Sequence, residues 1–337
     1  MKYFHHRKKK LFLESGLFFC LLLAASFSWA SPNDWPPWGE YSPLKVLASK
    51  PTPLGKWSII VYGDSKGSSF HKQKFIPKLL AINPTLIVNT GDMVARGGGI
   101  LSRENDWEPW EKESRELRNH IPFFPVIGNH EITVREPKSA DHDKYYKGLR
   151  HFSLFYDLPK ESGWEFYYSF VYGDITFILL AVPGADFKPG SAQWQWLEQT
   201  LQKATTPHII TFSHSQIYSV GDKENYVWEY ASELTSLLKK YGVQLHFSGN
   251  DHIYYRTMRD GVTYIISAGG GANMYPLTHL DNAIPGDVFF TGDGKPDMEN
   301  YYYYVSLDVN SDTINGKTVL VNNGKVMDTF TLKARKR

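Results

Sequence analysis

The chain has 337 residues, 42% of them hydrophobic and 15% aromatic, with 37 Lys and Arg against 35 Asp and Glu and a single cysteine. That length and balance suit a globular chain with room for one large α/β domain or two small ones. They exclude a disulfide framework, a multi-thiolate metal cluster and a strongly basic nucleic-acid footprint.

Lys2, Arg7, Lys8, Lys9 and Lys10 precede an apolar stretch from Leu11 to Ala30 that closes on Ser28-Trp29-Ala30. Residues 1–30 read as a secretory signal peptide, so an exported protein, periplasmic or secreted, is expected. The alternative, an uncleaved membrane anchor, has to accommodate Glu14 and Ser15 inside the apolar run. Five of the 37 basic residues and one of the 35 acidic residues fall in this leader, leaving 32 against 34 and a net charge of −2. The basic excess belongs to the leader, and neither nucleic acid nor a stable membrane association after cleavage is expected as a partner. Cys20 leaves with the leader as well.

Residues 31–54, with Trp35-Pro36-Pro37-Trp38, read as an extended Pro/Trp-rich lead-in to one domain over residues 55–333. The first strand, Trp57 to Tyr62, runs through Gly63-Asp64-Ser65-Lys66-Gly67 into a helix that Ser68 or Ser69 caps and that stops before Pro84. The second, Thr85 to Asn89, ends on Thr90-Gly91-Asp92. A loop, Arg96-Gly97-Gly98-Gly99, separates it from a polar helix over about Ser102 to His120. The third strand, Phe123 to Ile127, stops at Gly128-Asn129-His130-Glu131. A segment with His142, Tyr145, Tyr146 and Phe152 then reads as a lid.

Tyr167–Val171 and Ile175–Val182 form a hairpin around Gly173-Asp174. Helices from Ser191 and over Trp228–Tyr241 flank the apolar run Ile209-Ile210-Thr211-Phe212, which ends on Ser213-His214. Leu245-His246-Phe247 ends on Ser248-Gly249-Asn250-Asp251-His252, and the strands Val262–Ala268, Tyr301–Asp308, Thr313–Val321 and Val326–Leu332 follow. Alternation of strands and helices, then strands alone, predicts an α/β fold: a four-layer α/β/β/α sandwich of two stacked mixed sheets flanked by helices. Ligands in such folds gather at the carboxyl ends of strands.

Five apolar runs thus end on Asp, Asn or His, which points to one shared site. Glycine ahead of the polar residue lets a strand turn sharply without steric cost. The donors Asp64, Asp92, Asn129, His214, Asn250 and His252 are oxygens and imidazoles, which suit Mn, Fe, Zn or Mg better than copper or an iron–sulfur cluster. Two such ions side by side make hydroxide available near neutral pH, and hydroxide is a nucleophile for phosphorus.

The order Gly63-Asp64, Gly91-Asp92, Gly128-Asn129-His130-Glu131, His214 and Gly249-Asn250-Asp251-His252 resembles the five-block signature of the calcineurin-like metallophosphoesterases, which include the purple acid phosphatases. The resemblance implies Asp92 bridging two divalent or trivalent metal ions, with Asp64 and His252 on the first and Asn129 and His214 on the second. Asn250 stands where the family usually has a further histidine for the second ion. His130 resembles the residue that hydrogen-bonds substrate and protonates the leaving oxygen, with Glu131 supporting the ligands. Lys66 stands where many members have a metal-binding histidine; a protonated lysine has no lone pair to give. It either offers its charge to the substrate phosphate or is a solvated lysine in a Gly/Ser loop. Ala95 stands where the protein serine/threonine phosphatases have an aspartate beside the catalytic histidine, and Arg96 matches their phosphate-binding arginine in position.

What the resemblance implies is an exported metal-dependent phosphoesterase acting on a small phosphorylated substrate, a phosphomonoester for preference, by attack of a metal-bridged hydroxide on phosphorus. Two alternatives stand beside it: a phosphodiesterase or nucleotide hydrolase of the same family, and a catalytically decayed phosphate-binding protein, which Lys66 and Asn250 motivate. Of the other histidines, His246 reads as a satisfied core residue, His208 as the cap of a strand, and His71 as either a surface residue or a further ligand.

Overall fold

The computed structural model describes residues 41–50, 55–97, 106–132, 152, 155–160, 166–223 and 229–335. The expected signal peptide, Trp35 and Trp38, and His142, Tyr145 and Tyr146 of the expected lid lie outside the described residues; Phe152, the lid's last expected residue, is instead buried in the core against Tyr156. No helix among the described residues is long and apolar enough to cross a membrane.

Strands β1 (Trp57–Tyr62), β2 (Leu86–Asn89) and β3 (Phe123–Pro125) pair in parallel, and β1 also pairs antiparallel with β11 (Tyr303–Val309). β12 (Thr313–Leu320) and β13 (Val326–Lys333) extend this sheet in the order β13-β12-β11-β1-β2-β3. The second sheet has the order β10-β8-β9-β7-β6-β5-β4. Its parallel centre is β5 (Ile175–Leu179), β6 (His208–Phe212), β7 (Leu245–Ser248) and β9 (Val262–Ser267). The antiparallel flanks are β4 (Tyr168–Tyr172), β8 (Tyr254–Arg259) and β10 (Val288–Phe290).

Strands covered on both faces read as unbroken apolar runs, and successive residues serve different layers. In β5, Phe177 and Leu179 join the large core between the sheets. Ile178 lies instead with Leu197 and Leu201 of helix α5 (Ala192–Lys203) and Leu234 and Leu238 of helix α6 (Ala231–Lys240). The rings of Phe170, Phe177, Phe212 and Phe247 stack in sequence across β4 to β7, with centroids 4.6, 6.3 and 5.5 Å apart, and Phe124 of the other sheet stacks on Phe170 at 4.0 Å. Helices α2 (Ile76–Ile82) and α3 (Trp107–His120) contribute Leu79, Trp110 and Leu117 to the same core. The chain therefore adopts the expected two mixed sheets with flanking helices.

Three local features differ from the sequence reading. Part of the lead-in is helical: α1 (Pro43–Ala48) starts on a proline, whose fixed φ suits a first turn. Tyr41 beside it exchanges backbone hydrogen bonds with Phe155 and Asp157, and its hydroxyl accepts the N–H of Phe123 at 2.9 Å, covering a donor at the open edge of β3. The helix after Gly67 opens with a π turn, His71–Phe75, and Ser68 Oγ accepts from His71 N. Strand β8, Tyr-Tyr-Arg-Thr-Met-Arg, and the short β10 carry too little apolar periodicity to announce themselves.

His246 is the satisfied core residue expected, between the hydroxyls of Thr211 at 2.8 Å and Ser213 at 3.0 Å. Burial pushes its pKa down to about 3. An unfolded histidine takes its proton near pH 6.5, so below that pH the unfolded chain binds a proton the fold refuses, and stability falls as pH falls. Urea unfolding of His246→Asn should show a decline between pH 6.5 and 4.5 that is shallower by about 2 kcal/mol; an unchanged slope would refute the assignment.

Candidate functional site

Five strand ends open onto one hollow, and the backbone there is unusual. Asp64, Lys66, Asp92 and Asn250 lie in the left-handed region, with φ of 60°, 46°, 55° and 66°. Aspartate and asparagine tolerate this conformation better than other residues with a Cβ, and such outliers cluster where the surroundings over-determine them. Of the neighbouring glycines, Gly91 has a positive φ, 98°. At Gly63, Gly128 and Gly249 the requirement is space. A Cβ would lie 2.1 Å from Thr90 Oγ1, 2.3 Å from Asp92 Oδ1 and 2.5 Å from Asp64 Oδ2 respectively. The turning residue is mostly the polar residue itself, and the glycine clears room for it.

Asp64 and Asp92 are buried, and ligand atoms of Asp64, Asp92 and His214 lie within 4.8 Å of one another. His214 Nε2 is 3.3 Å from Asp92 Oδ1 and 3.0 Å from Asn129 Oδ1, while its Nδ1 donates to Thr90 O at 2.8 Å. His252 Nε2 is 3.3 Å from Asp64 Oδ1, and its Nδ1 donates to Asn273 O. His130 Nδ1 donates to Ala95 O at 2.7 Å, leaving Nε2 3.8 Å from Asp92 Oδ2. Three imidazoles from three loops thus spend Nδ1 on a main-chain carbonyl and turn Nε2 toward the two carboxylates. A carbonyl only accepts, so each ring carries a proton on Nδ1 and leaves Nε2 as its working atom.

The charges reinforce one another. Burial works against the ionised form of Asp92, but His214, His130 and Lys66 outweigh it and hold the carboxyl well below the usual range. Burial likewise opposes the imidazolium of His214, and Asp92 more than compensates, pushing its pKa up to about 9. Lys66 Nζ stands 3.4 Å from Asp92 Oδ2 with its side chain 18% exposed; Asp92 and Asp64 overcome its desolvation and keep it charged. Two buried atoms, Asp92 Oδ2 and His252 Nε2, have no hydrogen bond. An unbonded imidazole nitrogen beside Asp64 and an unbonded oxygen of Asp92, approached only by the Lys66 ammonium, stand among oxygen and imidazole groups that fit a hard or borderline cation.

The strand ends also bring Asn129, at the start of helix α4 (Asn129–Ile132), and Asn250, whose N–H donates to Asp64 at 3.1 Å, into this hollow. Arg96 is placed differently: its guanidinium pairs with Asp106 at 3.2 Å and is 62% exposed. His71 is neither a surface residue nor a ligand. It is buried between Tyr62 OH at 3.0 Å and Glu113 Oε1 at 3.1 Å and stacks on Trp110. The sequence signalled none of those partners, because they come from the first strand and the third helix. It also gave no sign that the Ala95 carbonyl, available from any residue type, would orient His130, or that Tyr275 would stack on His252 at 4.1 Å.

Glu131 holds the assembly together. Its Oε2 accepts from Gly128 N at 2.6 Å and Asp92 N at 2.8 Å, and its Oε1 from Met93 N at 2.7 Å and Val94 N at 3.2 Å. One buried carboxylate therefore ties the end of β3 to the loop after β2.

A family model described as calcineurin-like phosphoesterase matches residues 58–254. Probable purple acid phosphatase 20 of Arabidopsis thaliana is 33% identical over 204 residues, 53% of this chain and 45% of that protein. An acid phosphatase of Aspergillus ficuum is 23% identical over 327 residues, 70% of this chain and 53% of that protein. The chain thus spans about half the length of these curated relatives. The purple acid phosphatase from yellow lupin (Lupinus luteus) seeds matches with a TM-score of 0.65 at 18% identity, over 84% of this chain and 55% of that one, a likeness of fold.

Replacing Glu131 with glutamine turns an NH2 group toward one pair of the four amides it now accepts. Stranding two buried donors should lower stability by about 3 kcal/mol, read as a fall in the urea midpoint at pH 7. A midpoint unchanged in Glu131→Gln would mean that the four contacts do not hold the loop.

Proposed function

Because the chain belongs to the calcineurin-like phosphoesterase family, we propose that it is a metal-dependent hydrolase of phosphate esters, with a small phosphomonoester as its substrate, acting after export. The observation that carries this reading is the set of three imidazoles, each with Nδ1 held by a main-chain carbonyl, turned onto two buried carboxylates, with Asp92 Oδ2 and His252 Nε2 without a hydrogen bond. Asp92 would be shared between two ions, Asp64 and His252 would hold one, and Asn129, His214 and Asn250 the other. Bound there, the ions supply positive charge for the phosphoryl oxygens and acidify water enough for attack near neutral pH.

The chain's own residues do the rest. Lys66, charged and at the pocket margin, has ammonium protons to give to non-bridging phosphate oxygens, which lowers the energy of the charge that grows during transfer. His130 is one-third exposed, and with Nδ1–H committed to Ala95 O only Nε2 faces outward; a proton carried there can pass to the leaving oxygen, leaving the neutral ring with its Nδ1–H. Arg96, tied to Asp106, is left out of the phosphate-binding set proposed here. The export half of the reading rests on the basic and apolar leader sequence.

A second reading, phosphate binding without turnover, draws on the Lys66 to Asp92 ion pair, which neutralises part of the site without any ion. Activity separates the two. With Mn, Fe, Zn or Mg supplied, the protein should turn over p-nitrophenyl phosphate faster than bis(p-nitrophenyl) phosphate, and Asp92→Asn should abolish this. Lys66→Ala should raise KM about tenfold with a smaller loss in kcat. His130→Ala should cost about 100-fold in kcat for an alkyl phosphate, whose leaving group needs the proton, and far less for p-nitrophenyl phosphate. Folded protein that binds phosphate but hydrolyses neither ester with any metal would leave the second reading standing.

A further inference from the structure

Gln216, fully buried, sits beside Asn250, and nothing in its type or spacing marks it in the sequence. Which end of each amide faces which neighbour follows from one fixed acceptor. Gln216 Nε2 donates to the main-chain carbonyl of Lys223, and a carbonyl can receive nothing else. Gln216 Oε1 is thereby turned toward Asn250, whose Nδ2 donates to it at 2.8 Å. Asn250 cannot reverse its amide without setting two oxygens against each other.

The anchor is rigid. Lys223 N–H donates to Asp251 Oδ2 at 3.3 Å, Ser219 Oγ donates to the same oxygen at 2.5 Å, and Gly221 N–H donates to Ser219 Oγ at 3.0 Å. Asp251 is buried, and a Cβ on Gly221 would lie 2.5 Å from its Oδ2. On the other side, the Asn250 N–H is held by both oxygens of Asp64, at 3.1 and 3.3 Å. Backbone and side-chain nitrogen of Asn250 are both committed, and Oδ1 is the atom left to meet a cation.

We propose that Gln216 is a positioning residue: it locks the side-chain amide of Asn250 so that the oxygen, and never the NH2 group, is presented to the ion that His214 and Asn129 share. This rests on the reading of Asn250 as a ligand given above. An amide needs such a guard because its two ends are nearly equal in size and opposite in polarity. A residue behind a ligand typically changes metal affinity by about 10- to 100-fold when lost.

The test uses Mn2+ alone, counted on the full chain by electron paramagnetic resonance of the free ion and by isothermal titration. Gln216→Met keeps the volume but removes the acceptor; the weaker of two Mn2+ ions should dissociate about 10- to 100-fold more easily, while the ion-free protein, short of two hydrogen bonds, melts at a lower temperature but stays folded. In an Asn250→His background Gln216→Met should have no effect, since no amide remains to be oriented. Equal affinity in the unmodified chain and Gln216→Met, or the same loss in the Asn250→His background, would overturn the proposal alone. An unmodified chain that takes up no Mn2+ would overturn the metal reading with it.

Discussion

Two carboxylates buried side by side set the terms for the rest of this structure. Asp64 and Asp92 are almost fully removed from water, where each charge would cost several kcal/mol without compensation. Compensation comes from every direction: His214 and Lys66 against Asp92, His252 against Asp64, and main-chain N–H groups from His130 and Asn250. Those groups belong to loops far apart in the chain. The carboxylate pair can exist only when both sheets are stacked and their strand ends coincide, so folding and site assembly are a single event.

The pair also explains the backbone. A strand leaving a sheet carries its next side chain along the strand direction, whereas these side chains must turn back into a common hollow. Asp64, Asp92 and Asn250 achieve this in the left-handed region, and the flanking glycines are small because the carboxylate oxygens occupy the space a Cβ would need. Glu131 then fixes the geometry from beneath by taking four main-chain amides, while the carbonyls of Gly91, Asp92 and Met93 in the same loop accept from the main-chain N–H groups of Asp64, Lys66 and Gly67. A site built this way has little freedom to drift, since moving any ligand breaks a contact made by another.

Much of this was legible in the chain itself, and the limits are physical. An apolar run ending in Gly-Asp or Gly-Asn reports its own burial and its own terminus, so the parallel strands and the meeting of Asp64, Asp92, Asn129, His214, Asn250 and His252 at their ends could be read directly. Contacts made through the main chain could not: the Ala95 carbonyl that orients His130 would be supplied by any amino acid. Long-range polar pairs were equally silent, as with His71, whose partners Tyr62 and Glu113 come from a strand and from a helix 42 positions on. Strand β8 escaped because Arg256 and Met258 share a face with the buried Tyr254, and Arg259 shares the other with Tyr255 and Thr257, so neither face reads as an apolar stripe.

The departures at Lys66 and Asn250 bear on whether this site is worn down or adapted. A site released from binding ions gains by pairing its buried polar atoms, since each one left unpaired costs about 1 to 3 kcal/mol. Here Asp92 Oδ2 and His252 Nε2 are left without a hydrogen bond although hydroxyl and amide side chains are plentiful in the same loops. The two unusual residues, by contrast, are thoroughly engaged. Lys66 meets Asp92, and Asn250 is fixed through its main-chain and side-chain nitrogens. Specific support around the substitutions, together with the unbonded Nε2 of His252 beside Asp64, suits a pocket able to hold a cation, and it weighs the proposal toward hydrolysis over phosphate binding alone.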